Sequence, residues 1–313
     1  MTFPRPVVAG LAVVILWASA FPAIRVAAPE LGVLGLSIVR LGVAAVVLLL
    51  LAPIFNVRVP NRADLPLIIA CGTLGMTAYQ VLLNWGELTV PAGPASIVIA
   101  TAPLVSVAVA IVAFRERLTP VKVIGSVVAI GGVATVVLAR GGFELSTAVW
   151  TVVAAAVVHG LYHPMTKPLL RKYTGMEVAT YGMVVGALSL LPFMPAALPA
   201  IGSASAAGIL SAVFLGLLPS AAGFVLWGYA VARLPMATAT GFLYLVPAFA
   251  ILIAWIWLGE VPLPLEIVGG VVVLVGVIGV GVGDTILARL LTVEEPFGDS
   301  PPNDSPEIGR RSV

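Results

Sequence analysis

The second half of this 313-residue chain repeats the first at an offset of 144 residues. Pro91, Pro103, Glu116, Pro120 and Gly125 recur as Pro235, Pro247, Glu260, Pro264 and Gly269, with the intervals of 12, 13, 4 and 5 residues kept. A unit this long is too large for a solenoid repeat and reads as a duplicated half. Each copy holds five apolar stretches. Five is odd, so a second copy laid through a membrane enters it from the side opposite to the first. Inverted-topology repeats are an architecture of secondary transporters, with substrate bound between the halves near the bilayer midplane.

Composition says which solvent such a chain needs. It is 60% hydrophobic and 10% charged, against about 25% charged in a soluble domain. That much apolar surface cannot be hidden from water, so the partner is a lipid bilayer. A net charge of +2 does not point to nucleic acid. The single cysteine, Cys71, lies in an apolar run, which excludes a disulfide framework and a thiolate metal site.

The apolar runs are spans 1 to 10: 7–28, 32–53, 65–85, 93–114, 120–139, 147–168, 177–195, 205–232, 236–258 and 264–283. Most reach about the 20 residues that a membrane helix needs. They do not alternate as barrel strands would. The expectation is an all-α membrane protein of ten transmembrane helices in two inverted five-helix repeats, 1–144 and 145–283. Residues 284–313 carry six acids and Pro301, Pro302 and Pro306, and read as a short amphipathic end to the last helix followed by a disordered cytoplasmic tail. Span 7 is short and ends in Pro192 and Pro195. Arg5 and Ala18-Ser19-Ala20 mimic a signal peptide, but the first repeat needs span 1 to match span 6.

Lys and Arg orient the chain. With the N-terminus inside, 13 of them fall in inner segments, among them Arg58, Arg62, Arg115, Arg117, Lys167, Arg171 and Lys172. Only Arg140 is clearly outside, with Arg25 near a span end and Arg40 within a span. This bias places both termini in the cytoplasm. Arg115-Glu116-Arg117 becomes Gly259-Glu260-Val261 in the second copy. The glutamate stays and both arginines go, as inversion requires.

These landmarks resemble a known family. Leu16-Trp17-Ala18-Ser19-Ala20-Phe21-Pro22-Ala23-Ile24 looks like the opening of an EamA-domain protein of the drug/metabolite transporter superfamily. Pro91 to Ser96, Pro103, and Phe114 to Leu118 resemble the end of its third helix and its fourth. Leu245-Val246-Pro247 through Leu258-Gly259-Glu260 resembles the matching part of the second copy. The resemblance spans about 7–283. It implies a basket in which helices 1, 3, 4, 6, 8 and 9 surround a cavity while helices 2, 5, 7 and 10 lie further out. It also implies alternating access, driven by protons or by the substrate gradient, in a plasma (inner) membrane.

Several residues could carry the transport chemistry. Arg40, where many members of that family carry an arginine, costs about 2.5–3.5 kcal/mol to insert at a span centre. It suits a carboxylate or other anion, although the outer position of span 2 favours a structural arginine bonded to a neighbouring helix. His159 and His163, four residues apart on span 6, share a face. They suit proton coupling, substrate contact, or plain packing. Gln80 and Asn84, with Tyr79, give span 3 an amide face for a zwitterion or hydroxyl; interhelical hydrogen bonding is the plainer reading. Trp17, Phe21, Tyr162, Phe224, Trp227, Tyr229 and Tyr244 bring aromatics that could wall an apolar or cation-accepting pocket. Glu116 and Glu260 read as helix-end carboxylates that bond donors of their own turns, with a gating or proton-carrying role as the alternative. Gly279 and Gly283 form a GxxxG pair, which suits close packing within the bundle or a homodimer surface.

The expected substrate contacts are therefore Trp17, Phe21, Tyr79, Gln80, Asn84, His159, Tyr162, His163, Trp227 and Tyr244. At the 144-residue offset Gln80, Asn84 and Trp85 meet Phe224, Gly228 and Tyr229, so spans 3 and 8 would offer a substrate one polar and one apolar wall. The function read from this pattern is secondary-active export of small metabolites such as amino acids, with protons as a candidate coupling ion. No cofactor and no metal are implied. A membrane-embedded enzyme would want a carboxylate or metal cluster at membrane depth, which the sequence does not offer. A passive channel is the alternative, and it would show neither saturation nor counterflow.

Overall fold

The computed structural model describes residues 5–114, 119–139, 147–234 and 242–292. Glu116, Arg140, Pro235 and the tail beyond 292 lie outside the described residues. Those described are helical, with no strand among them.

Helix α1 (Arg5–Leu51) contains spans 1 and 2. Gly32, at φ 66° and ψ 171°, bends it into two limbs, a conformation that glycine adopts without a Cβ penalty. Helix α2 (Arg62–Gly86) follows, then α3 (Ala92–Ile99) and α4 (Ala102–Phe114), which together make span 4. Helices α5 (Pro120–Leu138) and α6 (Thr147–Leu170) complete the approach to the second copy. Its remaining elements are α7 (Gly175–Ser203), α8 (Ala206–Ala230), α9 (Val246–Leu258) and α10 (Pro264–Thr292). Five of the described helices, α1, α2, α6, α7 and α8, are long and apolar enough to cross a membrane.

One expectation about a helix end is corrected. Span 7 does not stop at 195: α7 passes Pro192 and Pro195 through a 3-10 turn at Leu191–Phe193 and continues to Ser203. Both prolines sit in first-turn positions, where a missing N–H breaks no helical bond. The last helix runs past the span end at 283 to Thr292.

The duplication is visible in two irregularities. Cys71–Ala78 of α2 and Gly216–Ala222 of α8 are both π-helical, and their ends, Ala78 and Ala222, are 144 residues apart. The helical break at 100–101 precedes Pro103, and a turn at 244–245 precedes Pro247, again at that offset. Proline lacks the N–H that would close the preceding turn, and its ring clashes with the carbonyl four residues back.

The exterior is apolar. Leu50, Ile256, Val127 and Val275 are all more than half exposed, which suits contact with lipid. Inside, small residues bring helices together: Ala18, Ala23, Ala27 and Ala28 are fully buried in the central cluster. Helices α5 and α10 pack along glycines. A Cβ on Gly276 would stand 2.5 Å from Ala129 N, and one on Gly132 would stand 2.6 Å from Val273 N. Gly279, the first glycine of the GxxxG pair, faces Gly125 of α5 in the same seam.

Polar clasps join the two halves at both ends of the bundle. At one end Glu177 closes a capping box with Thr174 and accepts from Arg58 Nε at 2.6 Å and Nη2 at 3.0 Å. Lys172 Nζ donates to Asp64 at 2.6 Å, and Tyr173 donates to the same carboxylate. These carboxylates raise the affinity of Arg58 and Lys172 for their protons. At the other end Arg25 meets Glu260, and Glu30 accepts from the backbone and hydroxyl of Ser205, the residue that caps α8.

Candidate functional site

A cavity lined from both halves of the chain lies between them. Trp17 and Phe21 face it from the first limb of α1, and Tyr79 and Leu83 from α2. Ile99, Ala100 and Pro103 contribute from the α3–α4 break, and His159 and His163 from α6. Phe224 of α8 and Tyr244 and Pro247 at the start of α9 close the second half's side. Both proline-associated breaks thus open onto the cavity, with Ala100 and Tyr244 at equivalent places in the repeat.

Spans 1, 3, 4, 6, 8 and 9 all reach the cavity, as the family resemblance implies. Span 2 reaches it as well, through Arg40. This alters the expectation of a peripheral arginine bonded to a neighbour's carbonyls. Arg40 is 4% exposed. Its Nε donates to the Ser220 hydroxyl at 3.0 Å, which fixes the plane of the guanidinium. Its Nη1 is buried and has no partner among the described residues.

The walls are aromatic. The rings of Tyr79 and His159 stack with centroids 4.4 Å apart, and His163 meets His159 edge-on at 4.7 Å. Trp17 packs on Phe224 at 5.2 Å and on Trp227 at 5.5 Å. Its indole Nε1 donates to Pro219 O at 3.0 Å, anchoring it to the π-helical stretch of α8. Such a box suits an apolar or unsaturated side chain, or a cation over a ring face.

Six of the ten sequence-derived contacts therefore line the cavity: Trp17, Phe21, Tyr79, His159, His163 and Tyr244. The other four stand behind it. Trp227 supports Trp17 and His163. Tyr162 lies over Gly75, where a Cβ would meet its ring. Asn84 donates to the Ser37 hydroxyl of α1 at 2.9 Å, and Gln80 is 1% exposed. Of the residues paired across spans 3 and 8, Phe224 faces the cavity, while Gly228 touches the backbone of Gly175.

Sequence reasoning missed Glu87. It is fully buried, and both carboxylate oxygens lack partners among the described residues. The available signal was its spacing: 80, 84 and 87 share one helical face. Glu260 also differs from expectation. It bonds not its own turn but Arg25 Nε at 3.2 Å and Ala92 N at 3.0 Å. The carboxylate that serves the local turn is Glu266, which accepts from Leu263 N at 2.9 Å.

A duplicated helical bundle with an apolar exterior and a cavity lined from both halves defines a membrane protein of the transporter class. The profile of the EamA-like transporter family matches residues 5–138 and again 146–282, so the chain belongs to that family. It is 53% identical over 277 residues to a probable terminal-alkyne amino-acid exporter of Streptantibioticus cattleyicolor, covering 88% of this chain and 93% of the relative. It is 34% identical to an uncharacterized transporter, YdfC, of Bacillus subtilis, over 84% of this chain and 86% of that one. An uncharacterized transporter of Archaeoglobus fulgidus is 31% identical over 81% and 90%. A solved crystal structure shares the fold, with a TM-score of 0.65 over 91% of this chain and 98% of the other at 20% identity. The chain is a multi-pass membrane transporter of the drug/metabolite type and not an enzyme.

Proposed function

We propose that this transporter exports an amino acid with an apolar or unsaturated side chain, and that Arg40 receives the carboxylate. The observation that carries the reading is the unpaired Nη1 of a buried guanidinium on the cavity wall. A charged donor withdrawn from water and left unpaired is costly, and a substrate carboxylate would compensate it. Trp17, Phe21, Tyr79 and Phe224 would hold the apolar end. The name carried by the Streptantibioticus relative supports the same substrate class.

The topology that goes with this reading has ten spans in two inverted repeats, with both termini in the cytoplasm and the carrier in the plasma membrane. The Arg58–Glu177 clasp then faces the cytoplasm and the Arg25–Glu260 clasp faces outward. Alternating access would come from one half rocking on the other, with the paired helical breaks beside the substrate.

The test is uptake and counterflow in proteoliposomes with a panel of amino acids and their carboxamides, which lack the carboxylate. Arg40→Gln should weaken amino-acid binding about tenfold or more, as expected for a hydrogen bond to a charged group. It should leave carboxamide binding unchanged. Equal effects on both ligand sets would remove Arg40 from carboxylate recognition.

A further inference from the structure

We infer that Glu87 is a proton-binding site coupled to transport, joined to the cavity by a buried polar seam between the second limb of α1 and α2. The inference rests on the chain being a carrier and not on which substrate it carries. Ser37 and Arg40 are one helical turn apart on α1, and Gln80 and Asn84 are one turn apart on α2. Glu87 follows α2 with helical dihedrals, φ −74° and ψ −2°, so it continues the face that carries the two amides. All five residues are at most 4% exposed. The Asn84–Ser37 hydrogen bond ties the two sides of the seam together.

The seam concentrates unmet hydrogen bonding. Six buried side-chain atoms lack a partner among the described residues, and five belong to it: Arg40 Nη1, Gln80 Oε1, Asn84 Oδ1 and both oxygens of Glu87. Buried polar groups are ordinarily paired, and a run of unpaired ones suits mobile water and protons. One end of the run reaches the cavity, since Arg40 and Tyr79 line it. The other end reaches the Arg25–Glu260 clasp, since Arg25 Nη1 donates to the backbone carbonyls of Glu87 and Leu88 at 2.7 and 3.0 Å.

The charges facing Glu87 explain why its carboxyl group is the one that takes the proton. Arg25, Arg40 and Glu260 act on it. Arg25 is engaged by Glu260 and two carbonyls, and Arg40 Nε by a serine, so no donor is committed to the Glu87 oxygens. From α6, His159 turns its ring onto Tyr79 rather than onto Glu87. From α7, Glu177 is held by Arg58 at the opposite end of the bundle. An ionised Glu87 would draw Arg25 away from Glu260; a protonated one leaves the clasp intact. Proton binding at Glu87 thereby controls closure of that end of the cavity. An ionisable group enclosed at membrane depth and left unpaired suits a proton relay.

The experiment uses the purified full chain in proteoliposomes and reads two modes: net flux driven by a pH gradient, and exchange of one substrate for itself at equal pH. Only net flux needs the proton site to change its occupancy. Glu87→Gln should lose gradient-driven flux and keep exchange, while Glu87→Asp keeps both. Persistence of gradient-driven flux in Glu87→Gln overturns the inference, as does loss of exchange in both variants, which would mark a packing role. An infrared pH titration of the wild type and Glu87→Gln reads the site without any substrate. The wild type should show a protonated-carboxyl C=O band that the variant lacks, and identical spectra overturn the proposal. If the wild type moves no amino acid, the substrate reading fails and the infrared arm still decides this one.

Discussion

Arg25 and Glu260 are 235 residues apart in the chain, yet Arg25 Nε lies 3.2 Å from Glu260 Oε1. The same carboxylate accepts from Ala92 N, and the same guanidinium donates to two carbonyls after α2. Four segments from both halves meet at this pair, and we expect it to close that end of the cavity. Both side chains are a fifth to a quarter exposed, which limits the pair to about 1 kcal/mol. Arg25→Gln or Glu260→Gln should raise, several-fold, the rate at which an impermeant reagent labels a cysteine placed at Ser96. The swap Arg25→Glu with Glu260→Arg should restore slow labelling. Unchanged rates in the single variants would mean that the closure is held elsewhere.

Orientation is checked with single cysteines at Arg117 and Glu260 in intact cells. From the loop charges and the loss of both arginines around Glu260, we expect the first inside and the second outside. An impermeant reagent should label the cysteine at 260 and spare that at 117. The opposite pattern would sink the inverted arrangement.

The breaks before Pro103 and Pro247 should act as a pair. Pro103 and Pro247 stand in the first turns of α4 and α9, and alanine at either place removes the bar of about 3 kcal/mol to running a continuous helix through the break. Each variant should melt at or above the wild-type temperature in detergent and exchange substrate more slowly. Wild-type exchange rates in both would remove the breaks from the transport cycle.

Glycine contacts make a steric prediction with an internal control. Gly276→Val drives a side chain into the backbone of α5, where Ala129 N and Gly125 O lie 2.5 and 2.6 Å from the new Cβ. Overpacking of this kind costs about 1–3 kcal/mol, and the melting temperature should fall by several degrees. Gly131→Val, on the same helix as Gly132 with nothing within 4 Å, should leave it unchanged. Equal effects would show that helix propensity, not contact, sets the cost.

Much of this architecture can be read before any coordinates. The duplicated prolines mark where helices break, because a missing N–H is a local and obligatory defect. The aromatic positions Trp17, Phe21, Tyr79 and Tyr244 stand out because few other residues on those spans could recognise a ligand. Arg40 is harder to place: its meaning depends on which way span 2 is rotated, and that is set by packing against Ser220 rather than by its own sequence. Glu87 sits just past the apolar run and reads as a loop acid. Only the fold encloses it, by bringing α1 and α6 against the end of α2. Glu260 finds its partners 168 and 235 residues away, a distance over which no local pattern speaks.

The wide turns at Cys71–Ala78 and Gly216–Ala222 also record the molecule's history. A π-helical segment arises when one residue is inserted into an α-helix without unfolding it. Two separate insertions would have had to land at the same place in each copy while leaving the 144-residue spacing intact on both sides. A single insertion in a five-helix ancestor, copied when the gene doubled, accounts for both. On that account the wide turn predates the two-halved protein, and so does whatever slack it gave the ancestral helix.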